Sequence, residues 1–199
     1  MQTKTERMTD FAIKTFDITK SEIKYITSNG YVRLEGPKKG KGKGLNVFES
    51  GFVDRITSFT GDYAFLSNFY QYPIYVYGGI EVMTVEHAFQ AAKAVLPHEK
   101  TQILNASTPG MAKKLGQRCK LREDWEDVKI DIMTKCIERK FDRTALGPRL
   151  YVTYDTELVE GNTWGDTFWG VDMTTGEGEN NLGKLIMAQR DKINKAKKK

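Results

Sequence analysis

Apolar and polar residues follow one another with the period of an α-helix over residues 85–96. The apolar positions form one stripe: Val85, Ala88, Phe89, Ala92 and Leu96. The polar positions form a second stripe at i, i+4 and i+7: Glu86, Gln90 and Lys93. Thr84 is a suitable N-cap, and Pro97 is expected to stop the helix. The pattern predicts a helix with one apolar face and one face that carries a carboxylate, an amide and an amine.

Short strands and helices are predicted along the rest of the main segment. A strand is expected at 56–59, and a hairpin at 74–77 and 80–82 with a glycine turn between its strands. Five helices are expected. The first runs from Pro97 to about Asn105, the second begins at Thr108-Pro109, and the third runs from Asp124 to a break at Gly147-Pro148. The last two are expected at 148–154 and 181–193, with a brief strand at 158–159 between them. The helix opened by Asp124 has the clearest buried stripe: Trp125, Val128, Ile132, Met133, Cys136 and Ile137. No internal repeat and no second domain are indicated.

The chain divides into an extension at 1–50, a main domain at 51–194 and a basic tail at 195–199. Strand candidates lie at 11–16 and 31–34 in the extension, with an Asn29-Gly30 turn, and a lysine- and glycine-rich loop follows. Its lysines can contact phosphate without reading a base sequence: Lys38, Lys39, Lys41 and Lys43. The alternative is a mobile loop and a solubilising tail, and the pattern does not choose between the two.

Composition limits the class of protein. The chain has 199 residues, 39% of them hydrophobic, which is enough for a sizeable core, and a formal net charge of +5. No apolar run approaches the roughly 20 residues that cross a bilayer, and the N-terminus lacks the apolar stretch of a secretory signal. We therefore expect a cytoplasmic protein with no membrane partner.

Cysteine and histidine are scarce. Cys119 and Cys136 are too few for a disulfide framework, and with only His87 and His98 beside them no zinc constellation is indicated. Neither cysteine has the surroundings of a catalytic nucleophile. We expect no metal and no cofactor.

Taken alone, the polar stripe of the helix at 85–96 is an ordinary solvated face. Two other segments, at 65–69 and 166–183, are also rich in aromatic, amide and acidic residues. The three segments hold four short motifs, and Asp-Trp at 124–125 adds a fifth; in chain order the five are Ser-Asn-Phe, Glu-His-x-Phe-Gln-Ala-x-Lys, Asp-Trp, Asp-x-x-Trp-Gly and Asn-x-Leu-Gly. In order and spacing they resemble the NADAR family, also called YbiA-like proteins, over about residues 56–193.

The resemblance implies an α+β fold: a mainly α-helical single domain with a small β-hairpin or sheet, here preceded by the N-terminal extension. It also implies a pocket for ADP-ribose or ribosyl phosphate and hydrolysis of an N-glycosidic bond. Activities in the family divide between removing ADP-ribose from guanine in nucleic acid and cleaving early riboflavin-pathway intermediates. Breaking a C1′–N bond builds positive charge on the ribose, so a carboxylate and groups that fix the sugar are needed.

The resemblance implies a set of site residues. Glu86 is expected to stabilise the charged sugar, orient it or transfer a proton, and Lys93 to attack C1′ as an amine or to act only as a charge. Substrate contacts are expected from Ser67, Asn68, Phe69, His87, Gln90, Trp125, Asp166, Trp169, Gly170 and Asn180. Several have structural alternatives: Trp125 as core, Phe69 as core, Asp166 and Asn68 as turn residues, and Asn180 as the N-cap of the last helix.

Two departures of this chain from the family pattern favour a macromolecular substrate. Trp164 adds an aromatic residue just before Asp166, and the basic extension is more than a small-molecule glycosidase needs. We expect ADP-ribosylated guanine in DNA as the substrate, as in a bacteriophage protein that reverses a host toxin's modification inside the host cytoplasm. A riboflavin-pathway ribosylamino-pyrimidine phosphate is the alternative substrate, and a silent ADP-ribose or NAD reader or a toxin-binding inhibitor is the alternative class. The pattern leaves the oligomeric state open.

Overall fold

The computed structural model describes residues 23–26, 32–34, 55–76, 78–142 and 144–196. Four segments lie outside these ranges: the predicted strand at 11–16, the Asn29-Gly30 turn, the lysine-rich loop and residues 197–199. In the extension, β1 (Ile23–Ile26) pairs antiparallel with β2 (Val32–Leu34). β2 matches the strand predicted at 31–34, whereas β1 was not predicted.

Two compact units make up the chain. We call Leu66–Thr144 the helical unit, and Met1–Phe65 with Ala145–Lys199 the terminal unit. The secondary structure is mainly helical with a few short strands, which confirms the α+β class. No helix within the described ranges is long and apolar enough to cross a membrane.

The helical unit begins with a hairpin and continues through four helices. β4 (Ile74–Val76) pairs antiparallel with β5 (Ile80–Val82), and Gly78 and Gly79 between them adopt positive φ angles, as the glycine turn predicted. The helices are α1 (Val85–Ala91), α2 (Pro97–Leu104), α3 (Pro109–Gly116) and α4 (Trp125–Phe141). α1 packs against each of the other three helices. It is therefore the central element of the unit.

Local signals predicted several helix starts correctly. Thr84 caps α1 by accepting a hydrogen bond from the His87 amide, and Thr108 caps α3 by accepting one from the Met111 amide. Asp124 occupies the N-cap position of α4, but its carboxylate binds the Arg122 guanidinium instead of a helix amide. The predicted stripe of α4 is buried at Trp125, Met133, Cys136 and Ile137.

Two predicted helix ends were wrong. α1 ends at Ala91, well before Pro97, which instead lies in the first turn of α2, where a proline needs no amide partner. α4 ends at Phe141 because Asp142 takes an extended conformation. Gly147 and Pro148 do not break α4; they lie within the next helix.

The terminal unit combines β3 (Arg55–Ile56), a 3₁₀ helix that begins at Gly61, α5 (Leu146–Tyr151), β6 (Glu157–Leu158), β7 (Gly161–Asn162), β8 (Val171–Asp172) and α6 (Asn181–Ala196). β3 pairs parallel with β6, and β7 pairs parallel with β8. The strand predicted at 56–59 is thus limited to Arg55–Ile56. α6 packs on α5 and β6, and its own Leu182 and Ile186 are buried.

Candidate functional site

All seven residues of α1 are buried, including its polar ones. The Glu86 side chain is 6% exposed and the Gln90 side chain 4% exposed. An exposed ladder of weak polar pairs is therefore excluded for this helix. Placing a carboxylate and an amide inside a protein is unfavourable unless each has partners, so their contacts define what they can do.

Gln90 holds the Glu86 carboxylate from one turn further along the helix. Its Nε2 donates a hydrogen bond of 2.8 Å to Glu86 Oε1. Gln90 itself lies against Gly116, the last residue of α3, where a Cβ atom would sit 2.1 Å from Gln90 Oε1. Gln90 Oε1 is buried and has no hydrogen-bond partner in the described ranges. Gly116 was not predicted as a site residue, yet it makes the space that Gln90 needs.

His87, expected as a substrate contact, is occupied within the protein. It is 1% exposed, its Nδ1 lies 2.8 Å from Thr84 Oγ1, and its Nε2 lies 3.0 Å from the Ala106 carbonyl oxygen. Since a carbonyl can only accept, Nε2 carries the proton and Nδ1 accepts from the Thr84 hydroxyl. The ring ties the start of α1 to the end of α2 and leaves neither nitrogen for a ligand.

Lys93 lies two residues beyond the end of α1, in a turn rather than on the predicted helical face. Its Nζ lies 5.5 Å from the ring centroid of Phe89 and 5.3 Å from that of Trp125. The two rings are themselves in tilted contact, with centroids 5.0 Å apart. The amine therefore sits against an aromatic wall.

The surroundings of Lys93 stabilise its neutral form relative to that of an exposed lysine. Burial lowers the pKa of the Lys93 ammonium below its ordinary value, and the Lys113 cation acts in the same direction, while the Glu86, Cys119 and Glu126 charges oppose them. A lowered pKa increases the fraction of free amine near neutral pH, which is the form that can attack an electrophile. Trp125 is 6% exposed, as its core alternative predicted, and it also lies beside Lys93, while its contact with substrate stays a prediction.

Tertiary contacts determine where the chain leaves α1. The Lys93 carbonyl accepts a hydrogen bond of 2.9 Å from the Arg122 amide, and the Val95 amide donates one of 3.1 Å to the Lys120 carbonyl. Ala94 and Leu121 form a bridge between these bonds. Residues 93–95 are therefore paired antiparallel with residues 120–122, and this pairing fixes the position of Lys93.

The Ser-Asn-Phe segment lies beside α1. The Asn68 carbonyl accepts from the Glu86 amide at 3.0 Å, and Asn68 Nδ2 donates to Met133 Sδ at 3.6 Å. Asn68 Oδ1 is buried and lacks a partner among the described residues, so it is the polar atom of this segment best able to receive a ligand donor. Ser67 forms a local turn by accepting from the Phe69 amide. Phe69 is 42% exposed, so the core alternative for it was wrong.

A lysine that was not predicted anchors this segment. Lys140 on α4 is 1% exposed, and its Nζ donates a hydrogen bond of 2.6 Å to the Ser67 carbonyl. It is seven residues after the buried Met133, so its place on the buried stripe could have been recognised from the spacing.

In the terminal unit, a turn ordered by Asn162 carries Asp166 and Trp169. Asn162 Oδ1 accepts from the Trp164 and Asp166 amides, and its Nδ2 donates to the Asp166 and Val171 carbonyls. One carboxylate oxygen of Asp166 accepts from the Trp169 amide at 2.9 Å, as its turn-capping alternative predicted. Asn162 is 3% exposed and was not predicted as important.

Gly170 and Asn180 have structural roles in this unit. A Cβ atom at Gly170 would lie 2.1 Å from the Glu160 carbonyl oxygen, so only glycine fits there. Asn180 adopts a positive φ of 53°, and its side chain donates to the Leu158 carbonyl and accepts from the Glu160 amide. Asn180 directly precedes α6 and its carbonyl accepts from the Lys184 amide, as expected of an N-cap position, while its side chain is bonded to Leu158 and Glu160. Its contact with a ribose hydroxyl stays a prediction.

The site residues therefore fall into two groups. Asn68, Glu86, Gln90, Lys93 and Trp125 belong to the helical unit, and Asp166, Trp169, Gly170 and Asn180 to the terminal unit. The four loop lysines lie outside the described residues. In the ranges that the structure covers, no group of three or more histidine, cysteine or acidic residues could hold a metal ion. Burial raises the pKa of the Cys136 thiol to about 12, so this thiol is inert.

The arrangement in the helical unit has a definite chemical capacity. A buried carboxylate, an amide that orients it and an amine of lowered pKa all belong to α1 and the turn that follows it. Such a set can stabilise a developing cation and supply a nitrogen nucleophile.

Residues 57–194 match the NADAR domain. The chain is similar to the N-glycosidase YbiA of Escherichia coli (strain K12), with 39% identity over 139 residues, which is 68% of this chain and 85% of that protein. It is also similar to the N-glycosidase Npun_R5314 of Nostoc punctiforme, with 37% identity over 55% of this chain and 73% of that protein. The riboflavin biosynthesis protein VVA0006 of Vibrio vulnificus is 33% identical over 66% of this chain but only 36% of its own length.

The fold has a solved counterpart. The NMR structure of Escherichia coli YbiA superposes with a TM-score of 0.66 at 32% identity, covering 76% of this chain and 92% of that one.

Proposed function

Since the chain belongs to the NADAR family, we propose that it is an N-glycosidase that hydrolyses the bond between ADP-ribose and a guanine base in nucleic acid. The observation that carries this proposal is Lys93: an amine of lowered pKa against the rings of Phe89 and Trp125, following the helix that buries Glu86. A protein that only binds ADP-ribose needs hydroxyl and phosphate contacts, but it needs no amine in its free form.

The proposed reaction begins with attack by the neutral Lys93 amine on C1′ of the ribose. The C1′–N bond to the base breaks, its electron pair goes to the base nitrogen, and the proton released from the amine reaches that nitrogen through Glu86. The glycosylamine then opens the sugar ring to an imine, with a proton taken up by the ring oxygen. Water adds to C1′, the Lys93 amine leaves, and the sugar closes again. Glu86 also stabilises the positive charge on the ribose.

Other side chains have supporting roles in this proposal. Gln90 orients the Glu86 carboxylate, and Asn68 Oδ1 accepts a hydrogen bond from the substrate. In the terminal unit, Asp166 and Trp169 stay predicted substrate contacts, and one Asp166 carboxylate oxygen caps its own turn.

A nucleic-acid substrate is supported by an exposed aromatic residue and by charge. Trp164, just before Asp166, is 67% exposed, which suits stacking on an unpaired base. The sequence carries lysine clusters at 38–43 and 192–199. Removing ADP-ribose from guanine would reverse the action of an ADP-ribosylating toxin on DNA, as expected for a phage counter-defence protein.

Release of ADP-ribose from a guanine-ADP-ribosylated oligonucleotide tests the function directly. We expect the wild type to release ADP-ribose and restore guanine, and Glu86→Gln and Lys93→Ala each to lose at least about 100-fold in kcat while remaining folded. A wild type that releases no ADP-ribose would refute the proposed substrate. Full activity in either variant would remove that residue from the mechanism.

A riboflavin-pathway ribosylamino-pyrimidine phosphate is the second candidate substrate. It is favoured by the name of the Vibrio vulnificus relative. The same assay with this metabolite separates the two, because the better substrate has the higher kcat/KM. A reader without activity would bind ADP-ribose tightly in calorimetry and release no product from either substrate.

A further inference from the structure

The helical unit contains a long stretch with only positive charge. Residues 100–122 include six basic residues and no acidic ones: Lys100, Lys113, Lys114, Arg118, Lys120 and Arg122. They lie on α2, on α3 and in the connection from α3 to α4. A continuous run of one sign attracts a polyanion and repels a polycation.

Three of these cations face solvent. Lys114, Arg118 and Lys120 are exposed, and within the described ranges none of their charged groups forms an ion pair or a hydrogen bond, although the Lys120 amide donates to the Glu99 carboxylate at 3.0 Å. Arg122 differs, because its guanidinium binds both carboxylate oxygens of Asp124, at 2.5 and 2.8 Å. We call Lys114, Arg118 and Lys120 the α3 basic surface.

The α3 basic surface is joined to the segment that carries Lys93. Residues 120–122 pair with residues 93–95 through two backbone hydrogen bonds, from the Arg122 amide to the Lys93 carbonyl and from the Val95 amide to the Lys120 carbonyl. On the other side, α3 packs against α1 where Gly116 meets Gln90. Lys120 therefore belongs, through its backbone carbonyl, to the pairing that fixes Lys93.

We propose that the α3 basic surface binds the phosphate backbone of the nucleic acid next to the modified guanine and so presents its ribose to Lys93. This inference rests on the proposed function. Exposed lysine and arginine side chains bind phosphates with release of counterions and without reading base sequence, which suits an enzyme that must accept modified guanine in many contexts. The other possible source of phosphate is the diphosphate of the ADP-ribose itself.

The test compares two substrates and two triple variants. The first variant is Lys114→Gln/Arg118→Gln/Lys120→Gln. The matched control is Lys135→Gln/Arg139→Gln/Lys184→Gln, which removes the same charge from three other exposed positions. The substrates are an ADP-ribosylated oligonucleotide and ADP-ribosyl-guanosine, which has no flanking phosphates.

The first variant should raise KM for the oligonucleotide and leave its kcat unchanged. Each lost phosphate contact should reduce the slope of log KM against log salt by about 0.7–0.9. Between 50 and 200 mM salt, the wild type should therefore weaken about 20- to 40-fold more than the variant. Both parameters for ADP-ribosyl-guanosine should stay the same, and the control should match the wild type.

Three results would overturn the proposal. Equal weakening of both substrates would assign the cations to the ADP-ribose diphosphate. An equal effect in the control would indicate general attraction by net charge. An unchanged salt slope in the first variant would show that the surface contacts no phosphate.

Binding of an unmodified single-stranded oligonucleotide, followed by fluorescence anisotropy, separates this inference from the proposed function. The first variant should lose affinity and salt dependence there too, even if no ADP-ribose is ever released. Equal affinity of the wild type and the first variant would refute phosphate binding by the α3 basic surface, whether or not the protein releases ADP-ribose.

Discussion

The substitution Gly116→Ala should disable the site from a position that touches no substrate. The new Cβ would lie 2.1 Å from Gln90 Oε1, and ordinary contact begins at 3.4 Å, so the Gln90 amide must retreat by about 1.3 Å. Because Gln90 Nε2 bonds to Glu86 Oε1 at 2.8 Å, this movement breaks or drags that hydrogen bond. Misplacing a catalytic group by about 1 Å can reduce the rate by about 100-fold.

The stability effect of Gly116→Ala follows from two opposing contributions. Overpacking a core costs about 1–3 kcal/mol, and alanine is favoured over glycine in a helix by about 0.5–1 kcal/mol. We expect a net loss of about 1–2 kcal/mol and a Tm lower by about 2–8 °C in a chain of this length. Differential scanning calorimetry measures the Tm, and release of ADP-ribose from the modified oligonucleotide measures kcat.

Two further variants control for this experiment. Gly110→Ala lies on the same helix, and its Cβ would meet only Thr108 Oγ1 at 4.0 Å, so both activity and Tm should be kept. Gly116→Ala/Gln90→Ala removes the contact with Gln90 Oε1 but leaves the Cβ atom of residue 90 only 2.8 Å from the new methyl group, so it should recover part of the Tm and none of the rate, since the Glu86 carboxylate loses the Gln90 hydrogen bond. Wild-type kcat and Tm in Gly116→Ala would refute the role assigned to Gln90 and Gly116.

Three other predictions concern the protonation of Lys93 and the hydrogen bonds made by Asn162 and by Lys140. The pKa of Lys93 is lowered chiefly by burial, so kcat should rise with pH along a limb whose midpoint lies below the ordinary lysine value of 10.5, and Lys113→Gln should shift this limb to higher pH by removing a repelling cation; a pH-independent rate would contradict this. Asn162→Ala removes four hydrogen bonds and should reduce the free energy of unfolding in urea by about 2–4 kcal/mol, with a change under about 0.5 kcal/mol counting against it. Lys140→Met should increase hydrogen exchange at residues 67–70 by losing the bond to Ser67, and unchanged protection there would show that Lys140 is no anchor.

Elements with local signals could be predicted from the sequence. Thr84 and Thr108 each place a hydroxyl just before a helical pattern of apolar residues, and this predicted the starts of α1 and α3. The pair Gly78-Gly79 predicted the β4–β5 turn. Each signal acts through atoms within a few residues, so no tertiary information is needed.

Features that depend on distant contacts could not be predicted in the same way. The end of α1 is set by the pairing of residues 93–95 with residues 120–122, and no glycine or proline beside Ala91 marks it in the sequence. The burial of Glu86 and Gln90 depends on packing by α2, α3 and α4, so their spacing alone fitted a solvated face equally well. The use of His87 and Asn180 as structural ties likewise depends on backbone carbonyls at Ala106 and Leu158.

The central claim is that Lys93 becomes bonded to the sugar. Wild type turning over an ADP-ribosylated oligonucleotide would be treated with borohydride, which reduces an imine to a stable amine, and its peptides would be analysed by mass spectrometry. We expect an added ADP-ribosyl group on the peptide that contains Lys93, and none in Lys93→Arg, which keeps the charge without a free amine. Full turnover with no trapped adduct, or an adduct on another lysine, would contradict it.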